Sequence, residues 1–338
     1  MKKIHIEILG GCGEYGRNCF YVEENQQAIL LDCGIMNDQS QQLPDLQLRH
    51  VEKLQAVFIS HLHKDHVGAL EYLAKLGYKG PVILSDLTYQ WLPENDLFTF
   101  CPFVTSEQKW QTVADNLQFL WGYSGHVIGS VWYSLIFNQQ TIFFSGDISL
   151  SSTLYPVHMP PSLAYELAFI DSGNAGMQIN NLVSKEQMRR IITANPNNMY
   201  RITSKFTAKC LEILLYLFET TTAKLFIDED IERWLTFHQK HSKNLLYRTQ
   251  QTMNALFESK RLCKRNQLEA GIYFLTSKSE ILSTDIVGTL DNIPFKNHLD
   301  TNEIYYLQNY VGAKETIYFH SEQCTPQTTW LEILANSH

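Results

Sequence analysis

The chain has 338 residues, of which 44% are hydrophobic and 18% charged, and its formal net charge is −8. That length accommodates two domains, or one large domain with an insertion, and the composition is that of a globular protein. The acidic balance excludes a surface that coats nucleic acid indiscriminately, but it leaves room for a local basic channel.

The start, Met1 to Glu7, has a basic flank. His5 and Glu7 interrupt any apolar leader, and the alternation of Ile4, Ile6 and Ile8 predicts a strand ending in Gly10-Gly11-Cys12-Gly13. Strands are also predicted over Cys19–Val22, Ala28–Leu31, Val57–Ile59, Val82–Leu84, Leu117–Trp121, Val131–Phe137 and Thr141–Phe144. Asn138-Gln139-Gln140 reads as a hairpin turn, and Val67, Leu70, Leu73, Ala74 and Leu76 have the spacing of a helix. Further on, Ser184-Lys185-Glu186-Gln187 reads as a capping box before a helix that Pro196 ends. Phe206, Cys210, Ile213, Leu214 and Leu217 form a second helical stripe, and Lys224–Ile227 a strand. Between Lys240 and Lys278 there are eight Lys or Arg against two Glu, which suits either a solvated helical face or a wall that tracks phosphates. Asp300 and Glu303 can cap a helix through Ile304, Leu307 and Val311, stopped by Gly312. Thr316–Phe319 is a strand that delivers His320. No stretch is long and apolar enough to cross a bilayer. The seven cysteines show no Cys-x-x-Cys spacing, so free thiols and a cytoplasmic location are expected.

The most informative segment is Ser60-His61-Leu62-His63-Lys64-Asp65-His66, directly after the apolar run Val57-Phe58-Ile59. Imidazole and carboxylate donors on one short loop can point at a common centre, and that mixed set suits zinc. Three other sites repeat the form of an apolar strand followed by a ligand-type residue: His126 after Leu117–Trp121, Asp147 after Thr141–Phe144, and His320 after Ile317–Phe319. A lone Gly-Asp or His at a strand end is more often structural, but four such sites point to a shared metal centre.

These motifs resemble those of the metallo-β-lactamase superfamily and, within it, the β-CASP nucleases, especially ribonuclease J. Gly10 to Asn18 is similar to the glycine-rich opening of ribonuclease J, and Leu31-Asp32-Cys33-Gly34 to the first superfamily motif. His61–His66, Gly125–Ser130 and Ser145-Gly146-Asp147 resemble the second, third and fourth. Asp171–Ala175, Asn297–Asp300 and His320-Ser321-Glu322 resemble β-CASP motifs A, B and C, with Asn297 and Ser321 standing where glycine is usual.

The resemblance implies an α/β fold, a metallo-β-lactamase αβ/βα sandwich with an inserted β-CASP-like α/β cap domain. Residues 1–175 would form the first part of the sandwich, 176–290 the cap, and 291–338 the return segment. It implies two zinc ions, with manganese as the alternative. His61, His63 and His126 would hold one; Asp65, His66 and His320 the other; Asp147 would bridge them. His298 would be a general acid held by Asp171, and Asp32 would orient the His61–His66 loop. Asp65 is thus counted with the catalytic group as well as with the ligands. The expected activity is zinc-dependent cleavage of RNA phosphodiesters, as an endonuclease, a 5′-exonuclease or both, with single-stranded RNA as partner. No membrane is implied, and a homodimer is among the open oligomeric states. The competing readings are a small-molecule metallo-hydrolase of lactonase or thioesterase type, a DNA nuclease, and a non-catalytic RNA-binding relative.

Overall fold

A computed structural model describes residues 4–93, 97–103, 108–203, 208–264, 269–276, 288–325 and 327–335. The chain divides into two units. One comprises Met1–Leu150, Val157–Gln178 and His298–His338, and the other Ser151–Pro156 and Ile179–Asn297.

The first unit begins with β1 (His5–Gly10), β2 (Cys19–Glu24), β3 (Gln27–Leu31), β4 (Leu54–Phe58), β5 (Pro81–Ser85) and β6 (Thr99–Phe103), which form one sheet in that order. β1 to β3 pair antiparallel, and β3 to β6 pair parallel. The chain then passes through β7 (Gln111–Ala114), β8 (Leu117–Tyr123), β9 (Val131–Phe137), β10 (Gln140–Phe144) and β11 (Leu167–Asp171). These five form a second sheet, and the strand Glu315–Phe319 adds to it beside β11. Asn138 and Gln139 close the β9–β10 hairpin with φ of 48° and 70°, the left-handed pair that a tight two-residue turn requires.

Period-two alternation decides the layering. Phe20, Val22, Ile29, Leu31 and Phe58 of the first sheet share one core with Phe119, Tyr133, Phe144, Phe169 and Phe319 of the second. Their neighbours Tyr21, Leu30, Val57 and Ile59 face the opposite way and pack with Leu70 and Leu73 of the helix Leu70–Lys75. On the far face of the second sheet, Phe143, Ile170 and Tyr318 pack with Ile304, Leu307 and Val311 of the helix Thr301–Val311. The order is helix, sheet, sheet, helix, the αβ/βα sandwich expected from the sequence. The helical spacing after His66 resolves into two short helices, Lys64–Val67 and Leu70–Lys75. Asp300 and Glu303 form the reciprocal capping box of Thr301–Val311, and Gly312 ends it in the left-handed region.

The second unit holds β12 (Met199–Thr203), β13 (Leu225–Ile227), β14 (Leu262–Lys264), β15 (Gly271–Leu275) and β16 (Gly288–Thr289). All pairs are parallel, in the order β14-β13-β15-β12-β16. Helices Asn181–Ala194, Ala208–Thr220, Glu229–Lys240 and Tyr247–Glu258 lie between strands in sequence, as parallel crossovers require. The start of the first helix corrects the sequence reading. Asn180, not Ser184, is the N-cap, because its side chain accepts from the amides of Leu182 and Val183. Ser184 lies inside the helix and donates back to the Asn180 carbonyl. Phe206 lies outside the described residues, as do Arg265 and Lys278 of the basic segment. Of the other basic residues there, Arg248 pairs with Glu219, Lys264 pairs with Glu232, and Arg261 donates to the carbonyls of Phe218 and Ala223. Those three cations are thus engaged by partners within the unit, and only Arg248 of them lies on a helix. The last strand of the chain, Glu315–Phe319, is β17. Among the described residues no helix is long and apolar enough to cross a membrane.

Candidate metal centre

All the donors named from the sequence lie in the first unit. His61 and His63 follow β4, and Asp65 and His66 sit in the short helix Lys64–Val67 that His63 caps. His126 follows β8, Asp147 follows β10, Asp171 ends β11, and His320 follows β17. Alternating strand directions bring the C-terminal ends of β8, β10, β11 and β17 to one edge of their sheet. The donors gather there because rigid strands anchor them and short loops let them converge.

Among the described residues three groups of donors are close enough to share an ion, and Asp147 belongs to each: His61, His63, His126 and Asp147; Asp65, His66, Asp147 and His320; Asp147, Asp171 and His298. In the first, His63 Nδ1 lies 2.9 Å from His61 Nε2 and 3.3 Å from His126 Nε2. Asp147 Oδ2 lies 3.6 Å from His61 Nε2 and 3.5 Å from His126 Nε2. In the second, His66 Nε2 is 3.5 Å from Asp65 Oδ2 and 3.3 Å from Asp147 Oδ2. His320 Nδ1 is 3.3 Å from Asp147 Oδ1.

The local electrostatics suit a cation. Burial depresses the His61 imidazole well below its ordinary value and takes His63 down to about 4. Neutral imidazoles so packed turn lone pairs towards one another, and a cation at their focus relieves the conflict. Burial works against charge on Asp147 too, yet His320, His66 and His298 hold its carboxyl well below the usual carboxylate range. Its Oδ1 is buried and faces His320 Nδ1 at 3.3 Å. Converging imidazoles and carboxylates shut away from solvent fit a divalent metal.

Two residues sit in strained backbone to make this possible. Asp32 has φ of 56° and His320 φ of 64°, a left-handed conformation that costs a non-glycine residue roughly 1–3 kcal/mol. Asp32 is fully buried. It accepts from the Ser60 amide and hydroxyl, each at 2.7 Å, and its Oδ2 lies 2.5 Å from His66 Nδ1. That contact fixes the His66 tautomer and leaves Nε2 facing the centre. The next turn needs a glycine, since a Cβ on Gly34 would lie 1.7 Å from the Asp65 carbonyl oxygen.

His298 lies just before the cap of the helix Thr301–Val311, whose cap Asp300 bridges to Asn174 in the turn after β11. Its Nδ1 is 3.0 Å from Asp171 Oδ2 and 3.8 Å from Asp147 Oδ2. Burial opposes its charge, but Asp171 and Asp147 outweigh that and push the imidazole up to about 9. Asp171 is itself fixed by the amides of Ile148 and Gly173.

The sequence reading missed Asn18, which is fully buried with Nδ2 3.0 Å from His66 Nε2 and 3.4 Å from His320 Nδ1. The only signal for it was its place at the end of the glycine-rich opening.

A helix-bounded sandwich of two mixed sheets, with imidazoles and carboxylates converging at strand ends, defines a protein built around a metal centre. Residues 12–175 match the Metallo-beta-lactamase superfamily model, and the chain carries a metallo-β-lactamase domain. It is 29% identical over 184 residues to Cleavage and polyadenylation specificity factor 73 of Drosophila melanogaster, a match covering 47% of this chain and 27% of that protein. It is 25% identical over 189 residues to Endoribonuclease YSH1 of Candida albicans, covering 45% of this chain and 22% of that one. It is 38% identical over 99 residues to Transcription termination factor FttA of Methanothermobacter thermautotrophicus, covering 28% and 15% respectively. The chain thus spans less than a third of the length of each of these relatives. Among solved structures, a protein of unknown function from Enterococcus faecalis V583 superposes with a TM-score of 0.61. The match covers 96% of this chain and 95% of that one at 12% identity, a likeness of fold.

Proposed function

We propose that the chain is a metal-dependent phosphodiesterase that cleaves RNA, a nuclease of the β-CASP group resembling ribonuclease J. The observation that carries this reading is the third donor group: His298, held by Asp171, stands against the same Asp147 that the two metal-type groups share. Similarity to a protein named as an endoribonuclease supports the choice of substrate.

His61, His63 and His126 would hold one zinc ion and Asp65, His66 and His320 the other, with Asp147 common to both and manganese as the alternative metal. Bound there, two divalent cations would lower the pKa of water towards neutrality and offset the charge of a phosphodiester. The remaining work falls to the chain. Asp32 holds the His66 ring so that Nε2 faces the centre. Asp171 keeps a proton on His298 Nδ1 and favours the imidazolium, which can give its other proton to the departing oxygen. The second unit occupies the sequence position of the β-CASP insert.

The test is incubation of the metal-loaded protein with end-labelled RNA and DNA oligonucleotides, and with ester and lactone substrates, followed by resolution of products by size. RNA shortened or cut in preference to DNA supports the reading. Ester or lactone turnover with both nucleic acids left intact overturns it in favour of a small-molecule hydrolase. Preferential cutting of DNA reassigns the substrate, and no turnover of any substrate by fully metal-loaded protein overturns the enzyme reading itself.

A further inference from the structure

We propose that Asn18 is a ligand of the second cation through its side-chain oxygen, and that this makes the second position the harder of the two. The inference rests on the two-cation reading above and adds a residue to it.

The Asn18 side chain has no exposed surface. Its backbone is pinned on both sides, with the amide donating to the Asp65 carbonyl at 2.8 Å and the carbonyl accepting from the Gly34 amide at 3.0 Å. The carboxamide therefore cannot leave the centre. Its Nδ2 is 3.0 Å from His66 Nε2 and 3.4 Å from His320 Nδ1, the two nitrogens that face the second cation position. Its Oδ1 is buried and has no hydrogen-bond partner among the described residues.

That orientation suits lone pairs directed at Asn18 and becomes unfavourable once those lone pairs are engaged by a cation. The two ends of a carboxamide are isosteric, so a half-turn about the terminal torsion exchanges them without moving the backbone. The turned amide presents Oδ1 beside His66 and His320 and moves Nδ2 to where Oδ1 now stands, an exchange that a cation drawing Oδ1 inward must drive. It gives up the 3.2 Å contact from Nδ2 to the Asp65 carbonyl, but that carbonyl keeps the 2.8 Å bond from the Asn18 backbone amide.

The consequence is an asymmetric pair. The first position has three imidazoles and one carboxylate, a set that suits tetrahedral zinc. The second has two carboxylates, two imidazoles and an amide oxygen, a larger and oxygen-rich set that suits a harder cation such as Mn2+.

The test uses the full chain, stripped with chelator and titrated with Mn2+ while the free ion is followed by electron paramagnetic resonance. Wild type should bind two ions. Asn18→Ala and the isosteric Asn18→Leu should keep one and weaken the other by about tenfold or more. Circular dichroism of the stripped variants shows whether each is folded. A measurement on wild type needs no variant: protein grown with asparagine labelled with 13C at the side-chain carbonyl and loaded with Mn2+ should show a 13C hyperfine coupling typical of a ligated amide. Two ions in wild type with unchanged affinities in a folded variant, or absence of that coupling, overturns the Asn18 assignment and leaves the two-cation reading standing. Fewer than two ions in wild type overturns both.

Discussion

Gly173→Ala should disarm His298 without touching a metal ligand. An added Cβ on Gly173 would lie 2.7 Å from His298 Cγ, 2.9 Å from its Cβ and 3.0 Å from its Nδ1. Ordinary carbon contacts begin near about 3.5 Å, so the ring must retreat by roughly 0.5–1 Å. The bond from Nδ1 to Asp171 Oδ2 starts at 3.0 Å. A retreat of that size takes it to roughly 3.5–4 Å, outside hydrogen-bonding range. The imidazole then loses both its orientation and the carboxylate that favours its charged form. General acid catalysis is typically worth about 10²–10⁴-fold, or roughly 3–5 kcal/mol of transition-state stabilisation. Cleavage of RNA by Gly173→Ala should therefore fall at least a hundredfold, with both cations retained. A nitrophenyl phosphodiester, whose leaving group needs no proton, should be turned over at nearly the wild-type rate. The assay is parallel kinetics on the two substrates with elemental analysis of the same samples. The reasoning fails if RNA cleavage stays within about threefold of wild type, if both substrates suffer equally, or if metal is lost.

Asp147→Asn removes the one charge common to all three donor groups, so elemental analysis should show it losing more metal than His63→Ala, which touches one group only. In the second unit, Lys185 and Glu212 form a buried ion pair at 2.7 Å. Lys185→Met should destabilise by about 3–5 kcal/mol in denaturant unfolding, and adding Glu212→Leu should restore most of the loss, because the cost is the unpaired buried charge. His238 is buried with Nδ1 2.8 Å from the Trp234 carbonyl and Nε2 2.8 Å from the Tyr155 hydroxyl, and burial takes its imidazole down to about 4. A depressed histidine binds its proton more readily unfolded, so its stabilising contribution is full above about pH 7 and falls as the pH drops through 6.5 towards 4. Relative to His238→Gln, wild type should lose about 2 kcal/mol of stability between pH 7.5 and 5 in denaturant titrations, and parallel pH profiles for the two proteins would contradict this.

The cluster of candidate ligands was legible in the sequence because its donors are local to strand ends. His61, His63, Asp65 and His66 occupy one loop and one turn, and His126, Asp147 and His320 each follow an apolar run whose alternation marks a strand. Where a strand fixes position and the next residue supplies the donor, spacing along the chain carries the geometry. Asn18 shows the limit of that rule: it precedes β2, but its value comes from contacts with His66 and His320, 48 and 302 residues away. His298 is a second case, since its partner Asp171 is 127 residues distant and no local pattern marks the loop that holds it; only the family resemblance pointed there. The second unit was harder to read for a different reason. Its strands are five residues long or shorter, so their alternation has too few terms to register. Its first helix starts one turn before Ser184. Asn180 is the cap because its side chain satisfies two amides at once, and Asn181 beside it is held by the Lys296 backbone through both ends of its carboxamide. A tertiary contact, which no local pattern shows, thus reinforces the earlier start. The same logic makes Gly173 a sharper probe than any ligand substitution: it is a residue without chemistry of its own, and the placement of His298 depends on the side chain it lacks.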